Sequence, residues 1–172
     1  MDEDITAINT TTRNEKIINF FIKNKKKLVI LLSLIILLIL SYFAYGEFDK
    51  RSKIKIANKY NNSIINFISG DKLNVESEMI KIINAKDKTY SPLALYFLLD
   101  NNVINSKEKI NSLFDILINE TKVDKEINNL IIYKKALYNS EFETENNLLK
   151  ILNPIINSES IWKSHGLYLM AE

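Results

Sequence analysis

The chain of 172 residues has no cysteine, three glycines, two prolines and one histidine. Without cysteine there is no disulfide and no thiolate metal site, so a folded part must be held by its apolar core alone, and the redox compartment stays open. The single histidine, His165, excludes a two-histidine metal site and leaves any catalytic triad one imidazole to use. Gly46, Gly70 and Gly166 are too few and too far apart for a glycine-rich phosphate loop. Charge of one sign is nearly absent too: 23 basic against 21 acidic residues leave a formal net charge of +2, too weak a field to draw nucleic acid. Ile, Asn and Lys make up about two-fifths of the chain and arginine is rare, a bias that AT-rich coding produces, so the abundant Asn is expected to carry no special role.

What the chain does have is a long apolar run. Leu28 to Tyr45, LVILLSLIILLILSYFAY, contains no charged residue and follows directly on Lys23, Lys25, Lys26 and Lys27. As a helix rising about 1.5 Å per residue it reaches about 27 Å, close to the hydrocarbon thickness of a bilayer. A helix buried in a soluble protein normally keeps a polar face, and this one offers only Ser33 and Ser41. A signal peptide cleaved near Ala44-Tyr45-Gly46 is the other rival, but the apolar region is too long and its leading segment too large. The sequence therefore predicts a single-pass chain: a leader with a basic juxtamembrane cluster over 1–27, a transmembrane helix over 28–46 and a domain over 47–172. Lys25, Lys26 and Lys27 at one end, and Tyr42, Phe43 and Tyr45 at the other, are the expected membrane-interface residues. Basic residues flank both ends, Lys50, Arg51, Lys53, Lys55 and Lys59 following the run, and the compact KNKKK block favours a cytoplasmic N-terminus.

Met1 to Arg13 is polar and expected to be unstructured. Asn14 to Lys27 fits either a short helix at the membrane surface or an extension of the span. After Tyr45 no proline intervenes, and Ile56, Tyr60, Ile64 and Phe67 form a helical stripe, so the membrane helix is expected to run into the domain without a linker and stop at Gly70. A second helix is predicted over Lys72 to Asn84, with Val75, Met79, Ile82 and Ile83 on one side. Ser91-Pro92 reads as the start of a third, with Leu93, Tyr96 and Phe97, ending near Asn101-Asn102. Ser106 is the expected cap of a fourth (Ile110, Leu113, Phe114, Leu117) and Asp124 of a fifth (Ile127, Leu130, Ile131, Lys134, Leu137). Thr144 opens a sixth, which proline should end at Asn153-Pro154, and Ser160 opens a seventh with Ile161, Trp162, Leu167, Leu169 and Met170.

No alternating strand pattern competes, so the fold class is all-α. The turns at Gly70, Asn101-Asn102 and Asn139 recur at about the period of roughly 34 residues of tetratricopeptide-type helix pairs, which must stack because one pair cannot bury its apolar face. A tetratricopeptide-like α-solenoid is the leading architecture and a plain helical bundle the alternative. On the solenoid reading, aromatic side chains facing a groove would hold an extended peptide, and Tyr133, Tyr138 and Trp162 are the partner-binding candidates. Most of the remaining aromatics are expected to fill the interhelix core.

Catalytic chemistry finds little footing. His165 beside Trp162 reads as a packing or surface residue, and Glu141, Glu143 and Glu145 as the solvated start of a helix. No catalytic residue, cofactor, metal or small-molecule substrate is expected.

The late string SIWKSHGLYLMAE, with Trp162, Lys163, His165, Gly166, Leu167 and Ala171, resembles a string of the YfgM-like ancillary subunits of the SecYEG translocon that opens on Trp and a basic residue and closes on Ala. The layout of leader, single span and helical-repeat domain is similar as well. The resemblance implies an inner-membrane protein with its C-terminal domain in the periplasm, a span that associates with translocon subunits, and periplasmic chaperones as further partners. The sequence stops at Glu172 on what reads as the first helix of a pair, so a further repeat or a packing partner is expected there. The predicted function is that of a non-enzymatic, membrane-anchored scaffold for protein partners. The alternatives are an assembly or quality-control scaffold for another membrane complex, such as division or cytochrome maturation, and a membrane-bound enzyme.

Overall fold

The computed structural model describes the backbone of residues 2–171, with the side chains of residues 16, 18–71 and 74–171. The stretch up to Arg13, expected to be unstructured, is instead helical backbone from Asp2 onward, because no proline or glycine breaks it before the apolar run; the side chains there lie outside the described residues. Among the described residues all regular structure is helical: α1 (Asp2–Ile68), α2 (Lys72–Asn84), α3 (Tyr90–Asp100), α4 (Lys107–Glu120), α5 (Lys125–Asn139), α6 (Glu145–Ile156) and α7 (Lys163–Ala171). The packing divides the chain into two units, Met1–Arg51 and Ser52–Glu172.

In the first unit no break separates Asn14 to Lys27 from the apolar run, and α1 continues through Gly46. In the second unit α1 supplies Ile56, Tyr60, Ile64 and Phe67, the predicted stripe, to the core. Its end is a Schellman motif: the Gly70 N–H donates to Phe67 O at 3.1 Å and the Asp71 N–H to Asn66 O at 3.0 Å, with Gly70 at φ 92°. The end of α3 repeats the device with asparagine, Asn102 at φ 49° donating to Leu99 O and Val103 to Leu98 O.

Each helix from α2 onward packs on the next, and α2 also meets α4, while α5 meets α7. The core is in two parts. The larger gathers Val75, Met79, Ile82 and Ile83 of α2, Ala94, Leu95 and Leu98 of α3, Ile110, Leu113, Phe114 and Leu117 of α4, and Ile131 of α5. The smaller joins Ile132 and Ala136 to Leu152, Ile155 and Leu169, and Ile118 touches both. Lys86–Glu120, Lys109–Glu76 and Lys135–Asp115 tie neighbouring helices at 2.6 to 2.7 Å, surface pairs worth up to about 1 kcal/mol each.

Several local expectations need correction. The third helix begins at Tyr90, where the Asp87 carboxylate accepts the Thr89 and Tyr90 N–H groups at 2.9 and 2.7 Å. Ser91 is fully buried and donates its hydroxyl to Ile82 O at 2.7 Å, a second bond to a carbonyl in the last turn of α2 that also accepts the Ala85 N–H at 3.2 Å. Asp124 stands at the start of α5 but makes no side-chain cap; its carbonyl accepts from Asn128 instead. Pro154 lies inside α6, because its place in the last turn leaves few helical bonds beyond it to lose. Trp162 precedes α7, which begins at Lys163. The stripe expected for α5 is also displaced. Ile127 and Leu137 are 41% and 47% exposed, whereas Asn129, Ile132, Ala136 and Asn139 are buried, because α5 meets neighbours on more than one side. Asn139 exchanges amide hydrogen bonds with Asn111 of α4 at 3.0 and 2.8 Å, so asparagine does carry a structural role here.

Candidate functional site

In the first unit, α1 holds a stretch long and apolar enough to cross a membrane, and none of it is buried by protein. From Val29 to Tyr45 its side chains are exposed, Leu37 at 65% and Tyr42 at 77%. The two hydroxyls in the run are satisfied within the helix: Ser33 donates to Ile30 O and Ser41 to Leu37 O, both at 2.8 Å. Neither therefore brings an unpaired polar group into apolar surroundings. Lys25, Lys26 and Lys27 are exposed at one end, and Tyr42, Phe43 and Tyr45 at the other, with the Tyr42 and Phe43 rings edge-on at 6.0 Å. The eighteen residue steps from Lys27 to Tyr45 separate these ends by about 27 Å along the axis.

In the second unit, an apolar cleft of about 450 Å³ lies between α3 and α5. Pro92, Leu93 and Tyr96 line one wall and Val123, Ile127 and Leu130 the other, with Lys88 and Asp124 at one end. The wall residues share a face because Pro92/Tyr96 and Val123/Ile127/Leu130 recur three and four apart. The Tyr96 phenol oxygen is closed off from solvent and has no hydrogen-bond partner among the described residues, and burial pushes its pKa up to about 12. Lys134 lies with Nζ 4.5 Å from the centre of the Tyr96 ring.

The structure brings two of the three aromatic candidates together. Tyr133 stacks on Trp162 with centroids 5.9 Å apart and planes at 20°, and His165 stands against both rings at 5.8 and 5.3 Å. The start of α7 is held there by Glu126 of α5, whose carboxylate accepts from the Ser160 hydroxyl at 2.8 Å and the Ile161 N–H at 3.2 Å. Ser160 Oγ in turn accepts the Trp162 N–H at 3.2 Å. Gly166 is buried against α6, where an added Cβ would stand 3.4 Å from Ile156 Cγ2. The late string thus has Trp162 and Gly166 turned to packing and Lys163, His165 and Leu167 turned to solvent.

Tyr138 lies elsewhere. Five residues after Tyr133, about 140° round the helix, it packs on Phe114 and Phe142 at 6.3 and 5.3 Å. It borders a second cleft of about 440 Å³ with Leu99, Ile104, Lys107 and Glu141, and Lys107 Nζ sits 3.6 Å over the Phe142 ring. Burial, then the Glu108 carboxylate, raises the Tyr138 pKa. Glu141, Glu143 and Glu145 are exposed, and among the described residues no three His, Asp or Glu side chains gather where a metal ion could sit. The cleft between α3 and α5 was missed from sequence. Its one visible signal was a lysine, Lys134, at an apolar-periodic position of α5.

Compared with known proteins, the chain matches no family model, no curated protein and no solved structure.

Proposed function

We propose that the protein is a single-pass, membrane-anchored helical scaffold, with its N-terminus cytoplasmic and the domain of 52–172 binding protein partners on the far, periplasmic side. One observation carries the anchor: Leu28 to Tyr45 is apolar on every side and covered by no part of the described chain. Exposing that much aliphatic surface to water costs about 25 cal/mol per Å², so a bilayer is the medium it suits. The order of packing supports a solenoid of helix pairs, since the contacts of α2 to α7 run between each helix and the next or next but one. Tethering by the span raises the local concentration of the domain around a membrane complex, so weak contacts suffice. The late string gives this reading its specific form, an ancillary translocon subunit with periplasmic chaperones as further partners.

The test has two parts. Because the chain has no cysteine, Thr12→Cys and Ser164→Cys can each be labelled alone in whole cells with a membrane-impermeant maleimide. Labelling of the second and not the first is the expected pattern; the reverse sinks the orientation. In vivo cross-linking followed by mass spectrometry then identifies partners: translocon subunits with extracytoplasmic chaperones are expected. Reproducible recovery of a different membrane complex would overturn the translocon role and leave the scaffold.

A further inference from the structure

We propose that the cleft between α3 and α5 is a docking site for a protein segment that presents apolar side chains beside a carboxylate, and that Lys134 reads the carboxylate. The proposal deepens the scaffold reading and rests on it for the partner being a protein. The apolar half of the argument is the cleft wall, where Leu93 and Ile127 stay 40% and 41% exposed beside Pro92, Val123 and Leu130. At about 450 Å³ the cleft is in the size range of ligand sites, yet it lies open along one side. An acyl chain, which favours an enclosed cavity, fits it less well than two or three side chains of a peptide laid along it.

The charged half is a contrast among lysines. Lys86, in the turn after α2, and Lys109 and Lys135, on α4 and α5, each reach a carboxylate of another helix at 2.6 to 2.7 Å. Lys134, half-buried and equally placed between helices, meets only the Tyr96 ring and makes no ion pair among the described residues. Lys88 and Asp124, the two charged residues of the cleft lining, carry opposite charges, and Lys134, outside the lining but over the Tyr96 ring that forms part of it, adds a positive charge. A carboxylate reaching this point would form a charge-assisted hydrogen bond in partly desolvated surroundings.

The full chain in lipid nanodiscs is tested on arrays of short synthetic peptides in which leucine and phenylalanine flank one position carrying Glu, Gln or Lys. Glu peptides are expected to be retained about tenfold over their Gln counterparts, the ratio a charged hydrogen bond supplies, and Lys peptides least. Lys134→Gln should abolish the Glu preference while apolar retention persists, Lys134→Arg should keep it, and Ile127→Asp should remove retention altogether. Absence of retention, a Glu preference unchanged in Lys134→Gln, or binding of laurate without any peptide would each overturn the site. Flotation with vesicles reports the anchor separately. A chain that floats but retains no peptide loses the cleft and keeps the anchor; one that retains peptide without floating does the reverse.

Discussion

Leu37 in α1 is 65% exposed, and Leu117 in α4 is 0%. Both sit in helices rich in leucine and isoleucine, so residue type does not separate them; arrangement does. In α4 the apolar residues Ile110, Leu113, Phe114 and Leu117 recur three and four apart, leaving Lys107, Asn111, Asp115 and Asn119 for the other side. Such a stripe is closed by the neighbouring helices α2, α3 and α5. Leu28 to Tyr45 has no second side, and a single packing partner would leave most of it bare, so only a surrounding apolar medium suits it. The two regions thus fold against different solvents, and each should fail to respond to damage aimed at the other.

The largest effect is expected from charging the middle of the run. Ile36→Arg combined with Leu37→Arg should cost roughly 5 to 7 kcal/mol of insertion, taking about 2.5 to 3.5 kcal/mol per arginine at a span centre. Measured by carbonate extraction, the membrane-resistant fraction should collapse, while thermal unfolding followed by Trp162 fluorescence stays unchanged. A variant still resistant to extraction would overturn the anchor.

The converse damage is Phe114→Ala. Phe114 is fully buried in the larger core cluster, and its truncation should cost about 3 to 5 kcal/mol. Because Ile118 touches both clusters, the loss should reach Trp162 in the smaller one and lower the midpoint seen by fluorescence and by circular dichroism together. Separate transitions would mean that the two clusters unfold independently. Membrane extraction should not change.

A smaller and more local effect is expected at Glu126, which joins α5 to the start of α7. Glu126→Ala removes three hydrogen bonds to its carboxylate, from the Ser160 hydroxyl, the Ile161 N–H and, longer at 3.4 Å, the Asn129 amide, at an expected cost of about 1.5 to 3 kcal/mol. Trp162 emission should shift to the red as its stack on Tyr133 loosens, with little change at Phe114. An unshifted emission spectrum would show that stacking alone places Trp162.

The division into these two regions was legible in the sequence because it rests on periodicity, which a chain displays without its partners. The apolar run, the stripe from Ile56 to Phe67, the caps at Ser106 and Thr144 and the stop at Gly70 are local signals, and each stands where it was expected. Interactions between distant residues were not legible. Asp87 took over the capping expected of Ser91 because Ser91 is engaged nine residues back, at Ile82. Asn139 looked like compositional background until Asn111, twenty-eight residues earlier, was seen to face it. The stripe on α5 was misplaced because a helix with neighbours on several sides has no single apolar face to display. Grouping Tyr133 with Tyr138 overlooked their separation of about 140° round α5.

The smallest effect expected tests the border between buried and exposed surface inside the second unit. Tyr96 buries a phenol oxygen that has no partner among the described residues, so Tyr96→Phe should remove a desolvation cost and lose no hydrogen bond, leaving stability unchanged or raised by up to about 1 kcal/mol at neutral pH. The signature is in the pH dependence. The native phenol titrates at about 12, above its ordinary value of 10, so between these values the unfolded chain gives up a proton that the native chain keeps. Its contribution is complete below pH 10 and falls as pH rises through about 12. Tyr60 and Tyr138 are raised as well, Tyr60 by burial first and then by Tyr90, so the wild-type slope has more than one source. Only the difference between wild type and Tyr96→Phe isolates this residue. Thermal midpoints of the full chain in micelles near pH 8 and pH 11 should diverge in favour of the variant at the higher value. Parallel curves would mean that the Tyr96 hydroxyl reaches water, and that the wall of the cleft between α3 and α5 opens around it.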